Sequence, residues 1–301
     1  MNRQPLVTIG VISYNNARFV VEALDSIKNQ TYQNIQIIIS DDCSTDDSVL
    51  VIEKWMQENS HLNMIFFTTS VNGGVCKSLN KIVQHSQGKY IATISTDDKY
   101  LPNFVLNRVE YLERADEQTG ICYSKSNLID EQSVFIEEES RDVWLTGNVF
   151  ENLCKMSNSF CKPLTMMVKK EVYSTVGIYD ENLIFEDLDF LFRVSKIYKI
   201  DFIENIDTEY RIVTNSLGTK LLTTPRGLES YAAVIKKNIG HSTMGDFYLA
   251  KRLRKISLKK KEIGLSSWYP DFKLSVKYSK SVRDTLIMCL FYPKHILTNK
   301  G

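Results

Sequence analysis

Four times between residues 6 and 114, a short apolar run is followed by a stretch whose apolar residues recur every three or four positions. Residues 6–12 (LVTIGVI), 35–39, 62–67 and 90–94 read as buried strands. Residues 17–29, 45–58, a segment after the Gly73-Gly74 turn carrying Leu79, Ile82 and Val83, and 103–114 read as helices. Such alternation favours a parallel sheet with helices on both faces. Ligands of these sheets bind beyond the carboxyl ends of the strands, so the residues just after each apolar run matter most.

Two of the runs end in acid pairs. Asp41-Asp42 closes IIISDD and Asp97-Asp98 closes YIATISTDD. Strand-end carboxylates on one sheet edge suit a nucleotide and a metal ion held together. Mg²⁺ typically needs only one or two protein carboxylates when diphosphate oxygens complete its shell. A third cluster, Phe185-Glu186-Asp187-Leu188-Asp189, opens an amphipathic segment about ninety residues beyond the second pair. Together the clusters point to a transferase acting on a nucleotide-activated substrate.

Each cluster also has a plainer explanation. Ser44 or Thr45 would cap a helix whose first turn favours acids. Asp97-Asp98 before Pro102 suits an Asx turn. Glu186-Asp187 complements a helix dipole, and Asp189 with Arg193 forms an i, i+4 pair suited to a solvated face. Asn72-Gly73-Gly74 either lets backbone approach a phosphate or makes an ordinary turn, and Lys77 beside it reads as a surface lysine. Tyr14, at the end of the first strand, offers an aromatic face for a base or simply packs.

Charge divides the chain. Residues 251–301 hold thirteen Lys or Arg against three Asp or Glu, net +10, which leaves −9 on the first 250. A basic appendage on an acidic body implies an anionic partner, either nucleic acid or a phospholipid surface. Six dispersed cysteines without a CxxC suit reduced, buried thiols, and the four scattered histidines have no metal-ligand spacing. The start of the chain has no signal-peptide pattern, and no apolar stretch approaches the roughly 20 residues that span a bilayer. A cytoplasmic protein is expected, peripheral on the inner-membrane face if the tail binds lipid.

The order of motifs is more specific than any one of them. Val11-Ile12-Ser13-Tyr14-Asn15, Gln30-Thr31-Tyr32, Ser40-Asp41-Asp42-Cys43-Ser44-Thr45-Asp46, Asn72-Gly73-Gly74, Asn80, Gly88-Lys89-Tyr90-Ile91 and Thr96-Asp97-Asp98 resemble the signature of family-2 inverting glycosyltransferases of the GT-A fold. The resemblance continues through Val176-Gly177-Ile178-Tyr179-Asp180-Glu181, the Glu186 cluster and Tyr210-Arg211, covering roughly 215 residues. It implies a Rossmann-like, mostly parallel sheet with flanking helices, residues 1–220 forming the catalytic domain. Within it, 1–100 would be the nucleotide half and 101–220 the acceptor half, with 221–301 a helical basic appendage.

The resemblance also implies roles. Ile12, Tyr14, Asp42 and Asp97 would bind the nucleotide, with Tyr14 on uracil, Asp42 on the base and Asp97 on the ribose. Asp98 would hold a divalent Mn²⁺ or Mg²⁺, and Asp187 would be the catalytic base. Two departures stand out: Ser95 and Thr96 replace a further acid, and no histidine follows Tyr210-Arg211. The implied reaction transfers a sugar from a nucleotide-sugar, expected to be a UDP-sugar, to a glycan or lipid-linked acceptor in bacterial surface-polysaccharide synthesis (capsule or O-antigen). Nucleic acid is not an expected partner.

Two other readings remain open. A sugar-1-phosphate nucleotidyltransferase would need a Gly-rich basic loop where Ser13-Tyr14-Asn15-Asn16-Ala17-Arg18 stands. A non-catalytic nucleotide- or nucleic-acid-binding protein would use the basic C-terminus. Residues 286–292 (LIMCLFY), within an expected terminal helix over 273–291, would lie in a membrane interface or pack on the body.

Overall fold

In the computed structural model, residues 4–156, 160–213 and 221–279 are described. They fall into two compact units. The first gathers the described residues of Met1–Val149, Ser159–Glu181 and Asp189–Ser216; the second those of Phe150–Asn158, Asn182–Leu188 and Leu217–Gly301.

The first unit is built on one sheet. Strands β1 (Val7–Ser13), β2 (Ile35–Asp41), β3 (Met64–Thr68) and β4 (Tyr90–Ser95) run parallel in the order β3-β2-β1-β4. Helices α1 (Ala17–Lys28), α2 (Ser48–Glu58), α3 (Val75–His85) and α4 (Phe104–Leu112) follow them in alternation. β1 and β2 are buried nearly throughout, because helices cover both faces. Close packing fixes Gly10: a Cβ there would stand 2.4 Å from Ile82 Cγ2 of α3.

Beyond β4 the sheet continues through β8 (Met166–Lys169), β6 (Thr119–Ile129), β9 (Lys199–Arg211) and the short β5 (Lys99–Tyr100), with β7 (Phe135–Glu138) paired to β6. Here only β6 with β9 is parallel; β8 pairs antiparallel with both β4 and β6. Apart from β5, this half lies beyond the strand–helix alternation of residues 6–114. Its organiser is Arg108 of α4, fully buried, whose guanidinium donates to Asp207 of β9 at 2.7 Å, to Ser124 of β6 at 2.7 Å and to the carbonyl of Thr165.

Helix α6 (Lys170–Val176) follows β8, and α7 (Glu186–Ser195) follows after a loop. The Asp189 to Arg193 pair forms at 2.8 Å, yet Asp189 is buried, which corrects the expected solvated face. Phe190 stacks on Tyr173 and Phe192 is buried, so this side of α7 faces the core.

The second unit contains α5 (Phe150–Lys155), α8 (Pro225–Asn238), α9 (Thr243–Glu262) and α10 (Trp268–Ser279). Thr224 and Ser242 cap α8 and α9 through their hydroxyls. Lys260 is fully buried and donates to Glu229 at 2.7 Å and Asp271 at 2.6 Å, pinning α9 to α8 and α10. Helix α10 starts at Trp268, five residues before the terminal helix expected over 273–291. Pro270 lies in its first turn, where a missing N–H is tolerated. The expected helix beyond Ser279, the apolar run at 286–292 and Cys289 lie outside the described residues.

Candidate active site

Strand register brings the residues expected at the nucleotide and metal, but not Asp187, to one edge. Ser13 pairs with Asp41 and Ile12 with Ser95, so β1, β2 and β4 end side by side. The Ile12 carbonyl accepts from Thr96 N–H at 3.0 Å, and the Ser13 carbonyl from Asp42 N–H at 3.0 Å. Tyr14, Asp42 and Asp97-Asp98 therefore leave from adjoining strand ends. Tyr14 is 43% exposed.

The first acid pair divides its work. Asp41 is buried and holds the turn, accepting from Ser44 N–H at 2.9 Å and Ser44 hydroxyl at 2.6 Å. Neither Ser44 nor Thr45 caps α2, which starts later, at Ser48. Asp42 accepts from Gly73 N–H and Gly74 N–H, one on each oxygen, both at 2.7 Å. Those two amides are thus occupied within the protein, and the turn explanation of Asn72-Gly73-Gly74 holds. Gly74 sits at φ 84°, ψ 163°, a conformation essentially confined to glycine. A cavity of about 310 Å³ lies beside this loop, lined by Asp42, Thr69, Asn72, Gly73, Lys77 and Lys81 among others. Lys77, expected as a plain surface lysine, and Lys81, which carries no motif in sequence, are the cations of this cavity.

Loops after β1 and β2 are laced together. Asn15 accepts from Thr45 N–H at 2.7 Å and its own N–H donates to Ser44 at 2.9 Å. Asp46 accepts from Ala17 N–H at 3.0 Å. Asn15 and Cys43 both adopt positive φ, 51° and 65°, to make these bonds.

The second pair is tied to β9. Asp98 is 6% exposed, and its Oδ1 accepts from Arg211 N–H at 2.9 Å. Burial, and then the charge of Asp97, raise its carboxyl well above the ordinary range. The Arg211 guanidinium donates to the Asp97 carbonyl, the Asp130 carbonyl, Ser133 and Glu22. Thr96 Oγ1 and Asp97 Oδ1 are buried without a hydrogen-bond partner. An orphaned carboxylate oxygen beside a second buried carboxyl is what a cation site needs, and a raised carboxyl pKa is what a cation would reverse. Among the described residues no group of three or more acids, cysteines or histidines forms a closed metal site. The donor set therefore fits a hard cation held by one or two carboxylates with most of its shell supplied by a ligand.

In the second unit, the loop entering α7 is fixed by Ser230, whose hydroxyl accepts from Ile184 N–H at 2.8 Å, and Phe185 packs edge-on to Tyr231. Glu186 and Asp187 are half-buried. Burial raises both carboxyls; Glu186, also repelled by Asp187, is pushed up to about 8.

The sequence profile described as Glycosyl transferase family 2 matches residues 8–169, from β1 through β8. The chain belongs to this family. An uncharacterized glycosyltransferase of Rickettsia prowazekii is 31% identical over 199 residues, 64% of this chain and 61% of that protein. An uncharacterized glycosyltransferase of Methanocaldococcus jannaschii is 30% identical over 213 residues, 69% of this chain and 71% of that protein. The chain thus spans about three-fifths of the length of the Rickettsia relative.

Two solved structures share the fold. S. aureus TarS 1–349 in complex with UDP-GlcNAc has a TM-score of 0.66 at 17% identity, over 91% of this chain and 81% of that one. The Pyrobaculum calidifontis mannosyltransferase PcManGT, in complex with GDP-Man and Mn²⁺, has a TM-score of 0.63 at 15% identity, over 98% and 81%. The family-2 fold here is accordingly the GT-A α/β fold, with helices following the sheet. No helix among the described residues is long and apolar enough to cross a membrane.

Proposed function

We propose that the chain is an inverting glycosyltransferase moving a sugar from a nucleoside-diphosphate donor to an acceptor hydroxyl. The observation that carries this reading is the Asp97-Asp98 pair at the end of β4, tied to Arg211 and retaining a buried, unpaired carboxylate oxygen. Membership of the family supports it, as do two fold neighbours crystallised with nucleotide-sugars.

Tyr14 stacks on the base, and Ile12 and Asp42 border the nucleoside. To bond a base N–H, Asp42 would share oxygens already accepting from the glycine loop. Asp98, with the unpaired oxygen of Asp97 beside it rather than at the ribose as expected, would hold a divalent cation, Mn²⁺ or Mg²⁺, which would offset the charge of the leaving group. Asp97 brings the freer oxygen, whereas Asp98 already accepts from Arg211. Asp187 takes the acceptor's proton as the hydroxyl attacks the anomeric carbon, a general-base role suited to a carboxyl raised by burial.

A UDP-sugar is the preferred donor, and a surface glycan or lipid-linked oligosaccharide the preferred acceptor. The basic C-terminal region is the proposed contact with the inner-membrane surface, and its charge favours anionic lipid. Calorimetric titration of UDP, GDP and dTDP with and without Mn²⁺, on the wild type and Asp97→Asn, tests the reading. Metal-dependent binding of one nucleotide that the variant loses supports it. Absence of binding to all three overturns it in favour of a non-catalytic protein.

A further inference from the structure

Lys162 immediately precedes the turn that leads into β8, and it ends in an unusual place. Its ammonium is 2.6 Å from Glu139 Oε1, 3.2 Å from Ser126 Oγ and 5.2 Å from the centre of the Tyr210 ring, with the side chain 20% exposed. Tyr210 is the residue before Arg211, whose N–H holds Asp98. Lys162 thus stands on the same stretch of wall as the acidic pair, and its charge acts on Asp98.

Glu139 has a second cation besides this lysine. Arg141 already grips Oε1 with Nε at 2.9 Å and Nη2 at 2.6 Å, and Ser126 donates to Oε2 at 2.9 Å. Burial works to raise the Glu139 carboxyl, but Lys162 and Arg141 outweigh it and hold it low. Holding two cations on one largely buried carboxylate incurs desolvation for each of them. Burial correspondingly lowers the Lys162 pKa. If the ammonium swings away, Glu139 keeps its two arginine contacts and its hydroxyl. A lysine on a flexible four-carbon stem can make that movement.

The same neighbourhood is short of ligands. Ser95 stands where the family resemblance calls for an acid, and no histidine follows Tyr210-Arg211. We propose that Lys162 is a diphosphate-binding residue, exchanging its Glu139 partner for an oxygen of the donor's leaving phosphate. The proposal rests on the glycosyl-transfer reading above. In the transfer step the bond between the anomeric carbon and the diphosphate oxygen breaks, its electron pair staying on that oxygen. The acceptor oxygen forms the new bond and its proton passes to Asp187. Lys162 donates a hydrogen bond to the phosphate gaining charge and remains protonated, as electrostatic stabilisation requires.

The test is calorimetry on the full chain without added metal, then with Mn²⁺, using UDP and GDP against uridine and guanosine. Lys162→Met weakens the bound nucleoside diphosphate by about ten- to a hundredfold, the range for a hydrogen bond to a charged group. It leaves the matching nucleoside unchanged, and Lys162→Arg restores most of the diphosphate affinity. Unchanged diphosphate affinity in Lys162→Met overturns the proposal, as does an equal loss for nucleoside and diphosphate, which marks a structural lysine. A wild type that binds neither UDP nor GDP nor dTDP defeats the glycosyl-transfer reading itself, and this proposal with it.

Discussion

Arg211 holds Asp98 with its backbone and Asp97 with its side chain: N–H to Asp98 Oδ1 at 2.9 Å, Nε to the Asp97 carbonyl at 2.7 Å. Arg211→Met should keep the first bond and lose the second, together with those to Asp130, Ser133 and Glu22. Leaving buried carbonyls unsatisfied costs about 1–3 kcal/mol. Urea denaturation measures that loss, and metal-dependent nucleotide affinity should fall with it. Unchanged stability and affinity would show that the turn holds itself.

Glu186 and Asp187 should respond oppositely to amide substitution. Glu186 is raised from 4.5 to about 8, so at neutral pH it is mostly a neutral acid that glutamine imitates. Glu186→Gln is expected to retain turnover, whereas Asp187→Asn loses about 10²- to 10⁴-fold, the usual contribution of a general base. Comparable losses in both variants would remove Asp187's special role.

Stability has its own pH signature at the same place. Between about 4.5 and about 8 the folded state binds a proton at Glu186 that the unfolded chain has released, so stability falls as pH rises through that window. Glu186→Gln should flatten the decline in melting temperature. An identical slope in the variant would assign the decline to other groups.

Gly74→Ala probes the loop that Asp42 holds. No atom would obstruct the new methyl, so the penalty comes from φ 84°, ψ 163° alone, about 1–3 kcal/mol for a backbone confined to glycine. Faster amide exchange at Gly73 and position 74 should accompany the loss. A variant as stable as the wild type would mean that the loop readily takes another conformation.

In the second unit, Lys260→Met strands Asp271 with Lys236 as its remaining cation, 2.9 Å away. Breaking a buried pair on one side costs about 3–5 kcal/mol, and thermal denaturation should show it. A loss under about 1 kcal/mol, as for exposed pairs, would contradict the burial of this network.

The repeating half of the fold was legible because strand and helix periods are local. Apart from the short β5, residues 7–112 needed only their own apolar spacing, and strand-end acids followed from the sheet rule. What could not be read depended on partners far along the chain. Arg108 finds Asp207 ninety-nine residues away, and Lys162 finds Glu139 twenty-three residues away. Nothing beside either residue signals its partner. Asp189 and Arg193 show the same limit in miniature. Their spacing announced a pair, but Phe190 and Phe192, which bury that turn, decided its surroundings. At Asp42, adjacency to Asp41 suggested a shared task, whereas register gave one carboxylate to a turn and the other to a loop.

The lacing of Asn15 to Thr45 and Ser44, with Asp46 reaching back to Ala17, has a bearing on how such a chain can change over generations. Neither loop is an independent unit of variation, because each completes the other's backbone bonds and both carry residues at positive φ. A new base preference introduced on one side alone would first break the other. Shuffling experiments should therefore move residues 14–17 and 43–48 between relatives as a linked pair, inherited together like two halves of a single allele.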